Sequence, residues 1–126
     1  MVEQLRFRDP LVDTFYGTMK EFLGIQEIRV KVDFFAGKFQ SLKESYHFPD
    51  VFLKPGKDEN LFKMICHAFG FDVEFGENGT TFTKREYCGI EDAFKRITDK
   101  YQIFVLAPVE VDLVVNDNGV FVEYEI

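Results

Sequence analysis

Two Asn-Gly dipeptides constrain this chain more than any other feature. Asn78-Gly79 follows Phe71, Val73 and Phe75, which alternate with Asp72 and Glu74, and Asn118-Gly119 lies between the runs Val109–Val115 and Val120–Ile126. Alternation with a period of two marks a strand with one buried face, and Asn-Gly between two such runs is the strongest short-range signal of a β-hairpin. Placing each dipeptide at the two central turn positions predicts return strands over about Thr80 to Arg85 and Val120 to Ile126. Both hairpins share an Asp-x5-Asn-Gly spacing, Asp72 to Gly79 and Asp112 to Gly119. Internal duplication and common turn chemistry explain that spacing equally well.

Three helices separate the hairpins. Asp9 suits an N-cap, Pro10 the first helical position and Gly24 a left-handed stop, with Leu11, Val12, Phe15, Tyr16, Met19, Phe22 and Leu23 at helical spacing between them. A second helix is expected from Asp58, as cap, to Phe69, with Gly70 as stop and Leu61, Phe62, Ile65 and Phe69 on its buried side. A third is expected over about Gly89 to Tyr101, with Ile90, Phe94, Ile97 and Tyr101 on one stripe. After the first helix, Ile28, Val30, Val32 and Phe34 alternate with Arg29, Lys31 and Asp33, a half-buried strand with a charged outer face. Ala36-Gly37-Lys38 reads as a turn, and a less regular strand follows from about Phe39 to Phe48. The order is then αββ-αββ-αββ. This predicts an α+β fold, an antiparallel β-sheet of hairpins with three helices packed on one face.

The chain of 126 residues fits a single domain, 1–126, and its sixteen Phe and five Tyr can fill a core without disulfide staples. Cys66 and Cys88 are therefore expected as reduced thiols. The longest apolar run, Ile103 to Val109, contains Pro108 and is too short to cross a bilayer. With no apolar leader following a charged N-terminal stretch, a cytoplasmic location and no membrane partner are expected.

Charge is distributed unevenly. Residues 1–63 carry ten acidic and ten basic side chains, whereas residues 64–126 carry twelve acidic and five basic. The whole imbalance behind the net charge of −7 lies in the second half. From Gln102 onward Glu110, Asp112, Asp117, Glu123 and Glu125 meet no Lys or Arg. Phosphate contacts need cations, so direct nucleic-acid binding through this half is disfavoured, and a basic protein is the natural complement. With Asn118-Gly119 as the turn centre, Asp112 faces Glu125, Val114 faces Glu123, and Glu110 stands further along the same side. Like charges directly opposed cost a few tenths to about 1 kcal/mol, so something must offset them. Three explanations follow. Arg29 and Lys31 on another strand offset them internally; Glu110, Asp112, Glu123 and Glu125 engage a basic groove that binds nucleic acid; or the carboxylates hold a divalent cation.

A second constellation is His47 and Asp50 before the second helix, Cys66-His67 near its end, and Cys88 before the third. His47, Asp50, His67 and Cys88 are weak candidate zinc ligands, because no CxxC or HxxxH pair is present. No zinc or other cofactor is expected. Cys88 with either histidine would make a thiol nucleophile only with a base in reach and an electropositive setting. The Gly-Glu-Asn-Gly run at 76–79 lacks the Lys-Ser/Thr ending of a phosphate loop and reads as a turn. Glu91 and Asp92 complement the third helix's dipole.

In size, acidity and lack of catalytic motifs the chain resembles the small acidic inhibitors of phages and bacteria: anti-CRISPR, anti-restriction and toxin-immunity proteins. No residue motif carries that likeness. It implies a non-enzymatic module that blocks a basic, nucleic-acid-handling protein. The alternative is a small α+β enzyme or ligand-binding domain with a Cys/His pocket, with or without zinc. A filled core favours the first, and a concave pocket where Cys88 and the histidines converge favours the second.

Overall fold

The structure, a computed structural model, describes residues 2–35, 38–101 and 109–125, with side chains described for 8–33, 38–99 and 111–123. Its elements in chain order are β1 (Val2–Phe7), α1 (Pro10–Leu23), β2 (Ile28–Phe35), β3 (Lys38–Leu42), β4 (Ser45–Pro49), α2 (Glu59–Phe69), β5 (Phe71–Gly76), β6 (Gly79–Lys84), α3 (Gly89–Tyr101), β7 (Val109–Asn116) and β8 (Gly119–Glu125). The chain is α+β, with all strand pairing antiparallel.

The helices start and stop where their caps require. Asp9 Oδ1 accepts from the Leu11 and Val12 amides at 2.9 and 3.2 Å, satisfying donors that the first turn of α1 leaves free. Gly24 closes α1 in the left-handed region at φ 71. Asp58 and Gly70 cap α2 in the same way. At Gly70, φ is 101 and a Cβ would lie 2.5 Å from Cys88 Cα, so both the backbone and the space demand glycine.

Three differences from the expected order matter. A strand not expected from the sequence, β1, precedes α1 and pairs with β8. The hairpins do not share one sheet: β1-β8-β7-β2-β3 form a five-stranded sheet, and β4-β6-β5 a separate three-stranded one. The single strand expected over Phe39 to Phe48 is β3 and β4, broken at Lys43-Glu44, and its two parts enter different sheets. Tyr46 holds the sheets together. Its hydroxyl donates to the Lys31 carbonyl of β2 at 3.0 Å and accepts from the Lys43 amide at 2.9 Å. Burial pushes its pKa well up, so the donor keeps its proton.

The inner faces of both sheets and the buried sides of all three helices meet in one apolar cluster. Phe15 packs against Phe69 and Phe71 with ring centroids 5.2 and 5.7 Å apart, Phe22 against Phe62 at 5.2 Å, and Phe62 against Phe82 at 6.4 Å. Each such pair adds about 0.5–1.5 kcal/mol beyond the area it buries. Helix α2 buries Phe62, Cys66 and Phe69. Leu61, expected on that side, is 47% exposed instead.

Candidate functional site: the charged face of the five-stranded sheet

Strand parity divides the large sheet cleanly. Ile28, Val30 and Val32 of β2, Val111, Leu113 and Val115 of β7, and Val120 and Val122 of β8 are buried in the core. The intervening residues, Arg29, Lys31, Asp33, Asp112, Val114, Phe121 and Glu123, take the opposite face. The register across it pairs Lys31 with Asp112, Arg29 with Val114, Asp112 with Glu123 and Val114 with Phe121.

This register corrects the one read from the Asn-Gly dipeptide. Asn116 pairs with Gly119, so the central turn residues are Asp117 and Asn118, and Asp112 faces Glu123 rather than Glu125. The physical reason lies in the turn. Asn118 does not take the positive φ that an Asn-Gly type I′ centre requires. The Asn116 side chain instead accepts from the Asn118 amide at 2.9 Å, which makes Asn116 the first turn residue. Gly119 becomes the fourth, with φ 124. Gly76 and Gly79 bracket the other hairpin in the same way. Because the slip is two residues, every side chain keeps its face.

Like charge still opposes like charge, and Arg29 and Lys31 offset it. Arg29 Nη1 donates to Glu123 Oε2 at 2.7 Å, reaching across β7, and lies 3.6 Å from Asp112 Oδ2; its Nη2 is 3.3 Å from Glu27 Oε1. Lys31 Nζ forms an ion pair with Asp112 Oδ1 at 2.5 Å. The Glu123 hydrogen bond, opposed by desolvation, holds the Arg29 pKa above its ordinary value. Asp112 and Glu123 are each 23% exposed, against 50% for Arg29. Glu110 falls at the register position opposite Asp33, and Glu125 opposite Val2; their side chains lie outside the described residues. Asp117, in the turn, is tied to α1 by Lys20 at 2.7 Å.

The Cys/His set is dispersed. His47 Nδ1 is 2.9 Å from Thr81 Oγ1 on the three-stranded sheet. Asp50 sits in the following turn at φ 60, its amide donating to the Asn78 carbonyl at 3.0 Å. His67 lies between Asp72 at 3.4 Å and Arg85 at 2.8 Å. Cys88 is buried, donating to the Phe69 carbonyl at 3.5 Å. Among the described residues no three His, Cys, Asp or Glu side chains are grouped to hold a metal ion. Burial pushes the Cys66 thiol up to about 12 and raises Cys88 as well, the opposite of what a thiolate nucleophile needs.

The cavity between Phe15, Met19, Val30, Tyr46 and Phe82 measures about 20 Å³ and is wholly apolar, space for one water-sized sphere without polar partners. Among the described residues no helix is long and apolar enough to cross a membrane. Compared with family models, curated proteins and solved structures, the chain matches none of them.

Proposed function

We propose that this chain is a non-enzymatic binding module that presents the outer face of its five-stranded sheet to a basic, nucleic-acid-handling protein. The observation that carries the reading is the excess of carboxylate on that face. Glu27, Asp33, Asp112 and Glu123 surround only Arg29 and Lys31 among the described side chains of β2, β7, β8 and the residues just before β2. Register adds Glu110 and Glu125 along the same strands, against Arg6 of β1 opposite Phe121 and the exposed Lys38 of β3, so the carboxylates remain in excess. Arg29 and Lys31 offset the repulsion within the sheet and hold Asp112 and Glu123 in place; the acidic margin remains for a partner. Such a margin, on strands spaced about 4.8 Å apart, offers regular negative charge to a groove built for phosphates. An inhibitor of the anti-CRISPR, anti-restriction or toxin-immunity kind would act in this way. The closely filled interior and the dispersal of His47, His67 and Cys88 favour this reading over a pocket enzyme.

Capture from lysate with two baits tests it: the wild-type chain, and a variant with Asp33→Lys. Asp33 is exposed and forms no ion pair among the described residues, so the variant should fold. The expected result is a basic protein released by rising salt from the wild type and absent from the variant. The same proteins on both baits, held regardless of salt, would contradict the proposal.

A further inference from the structure

Sheet edges are ready templates for another strand unless they are blunted. β3 packs against α3, and its pairing with β2 is bulged at Asp33/Phe34. β4 has five residues and ends in Pro49. β1 and β5 are free of proline and register shift, each pairing on one side among the described residues; β5, which packs against α2, is the one whose described side chains border a groove.

The direction of its peptide groups follows from one bond. The Gly70 carbonyl accepts from the Arg85 amide at 2.9 Å, which marks a hydrogen-bonded position of the β5–β6 ladder. Counting by twos, Asp72 and Glu74 turn their N–H and C=O groups toward β6, whereas Phe71, Val73 and Phe75 turn theirs away. None of these outward groups has a hydrogen-bond partner among the described residues. An open groove of about 600 Å³ runs along this edge between β5 and α2, lined by Asn60, Lys63, Met64, His67, Asp72 and Val73. Met64, one helical turn from the half-exposed Leu61, is 69% exposed there.

We infer that the free edge of β5 is a strand-addition site for an extended segment of a partner protein, one that alternates apolar and basic residues. Backbone pairing to Phe71, Val73 and Phe75 supplies the attachment. The added strand's side chains on the core side meet Met64 and the stem of Lys63, whose ammonium is 3.8 Å from Glu59 and 5.9 Å from the Phe75 ring centre. Those on the other side stand beside Asp72, which is 3.4 Å from His67, and Glu74; the cross-strand neighbours of the two carboxylates are the neutral Thr83 and Thr81. The same carboxylates disfavour a second copy of this chain, because two β5 strands laid antiparallel bring acidic side chains together. The site is separate from the outer face of the large sheet and stands or falls independently of it.

The test uses a short synthetic peptide alternating Val and Lys, its Val/Glu counterpart, and a Val/Lys peptide N-methylated at alternate residues. Binding is followed by fluorescence anisotropy, and backbone amide exchange in the chain locates it. The expected result is binding of the Val/Lys peptide alone, with new protection at Phe71, Val73 and Phe75, weakened about tenfold by Glu74→Lys and unchanged by Asp33→Lys. No binding at millimolar peptide, equal binding of the N-methylated peptide, or protection mapping to β2, β7 and β8 would overturn it. So would self-association that protects the same amides without peptide.

Discussion

Arg29 stands among Glu27, Asp112 and Glu123, and removing its charge would take away the cation that Asp112 and Glu123 share, leaving Lys31 beside Asp112. Arg29→Met keeps an unbranched stem next to Val114, its cross-strand neighbour, and removes only the cation. Exposed ion pairs contribute about 0.2–1 kcal/mol each, and an uncompensated like pair costs a similar amount, so the variant should lose about 1 kcal/mol. Urea denaturation should show that loss at low salt and a smaller one at high salt. Equal stability of the two proteins at low salt would refute the offsetting role. The thiols give a second residue-scale prediction. The Cys66 pKa rises from 9.0 to about 12 on burial, so between those values the unfolded chain has released a proton that the folded chain retains. Stability is therefore insensitive to this group below about pH 9 and falls as pH climbs toward about 12. Cys66→Ala should flatten that alkaline slope whatever it costs in packing. At neutral pH both thiols should react with an aromatic disulfide reagent only on unfolding; rapid reaction in the native state would show the burial to be wrong.

At the scale of elements, the helices were legible because their ends carry local chemistry. Asp9 with Gly24, and Asp58 with Gly70, bound α1 and α2 as expected, since a cap depends on residues a few positions away. Leu61 was misplaced because helical spacing alone cannot tell which of two adjacent stripes packs. Phe62 and Cys66 won the core, leaving Leu61 and Met64 outside. The hairpins were legible as hairpins but not in register: in β7–β8 the Asn116 side chain sets the first turn residue, and in β5–β6 Gly76 takes that place. Their faces survived because the slip was even. Glycines make the local rules testable. Gly79 has φ 137, and a Cβ there would lie 2.2 Å from the Phe48 carbonyl oxygen, whereas Gly17 is helical with nothing within 4 Å. Gly79→Ala should cost about 3 kcal/mol through backbone strain and collision. Gly17→Ala should stabilise by about 0.5–1 kcal/mol through helix propensity. Thermal denaturation of both variants would decide, and a tolerated Gly79→Ala would contradict the turn geometry described.

At the scale of the whole molecule, the division into two sheets was not legible. Nothing local in Phe39 to Phe48 says that its halves pair with different partners. That outcome is set by Tyr46 reaching the Lys31 carbonyl and by Lys84 of β6, which contacts the Leu42 carbonyl at 3.3 Å and Glu91 of α3 at 2.9 Å. Of the candidate site, Asp112, Glu123, Arg29 and Lys31 were legible from parity. Their mutual distances were not, because these depend on which residues form the turn between β7 and β8. The ion pairs also bear on how the acidic face should be probed. Reversing Asp112 or Glu123 would set new cations against Arg29 and Lys31 and would confuse lost stability with lost binding. Asp33 is exposed and forms no ion pair among the described residues, so it reports on the partner alone. The most direct measurement is the association rate of the captured partner with the wild type, Asp33→Lys and Arg29→Met at low and high salt. If the face recognises a basic groove, Asp33→Lys should associate more slowly than wild type and Arg29→Met faster. The three rates should converge as salt screens the charges over less than about 8 Å. Three equal rates at low salt, from proteins shown to be folded, would contradict recognition by this face.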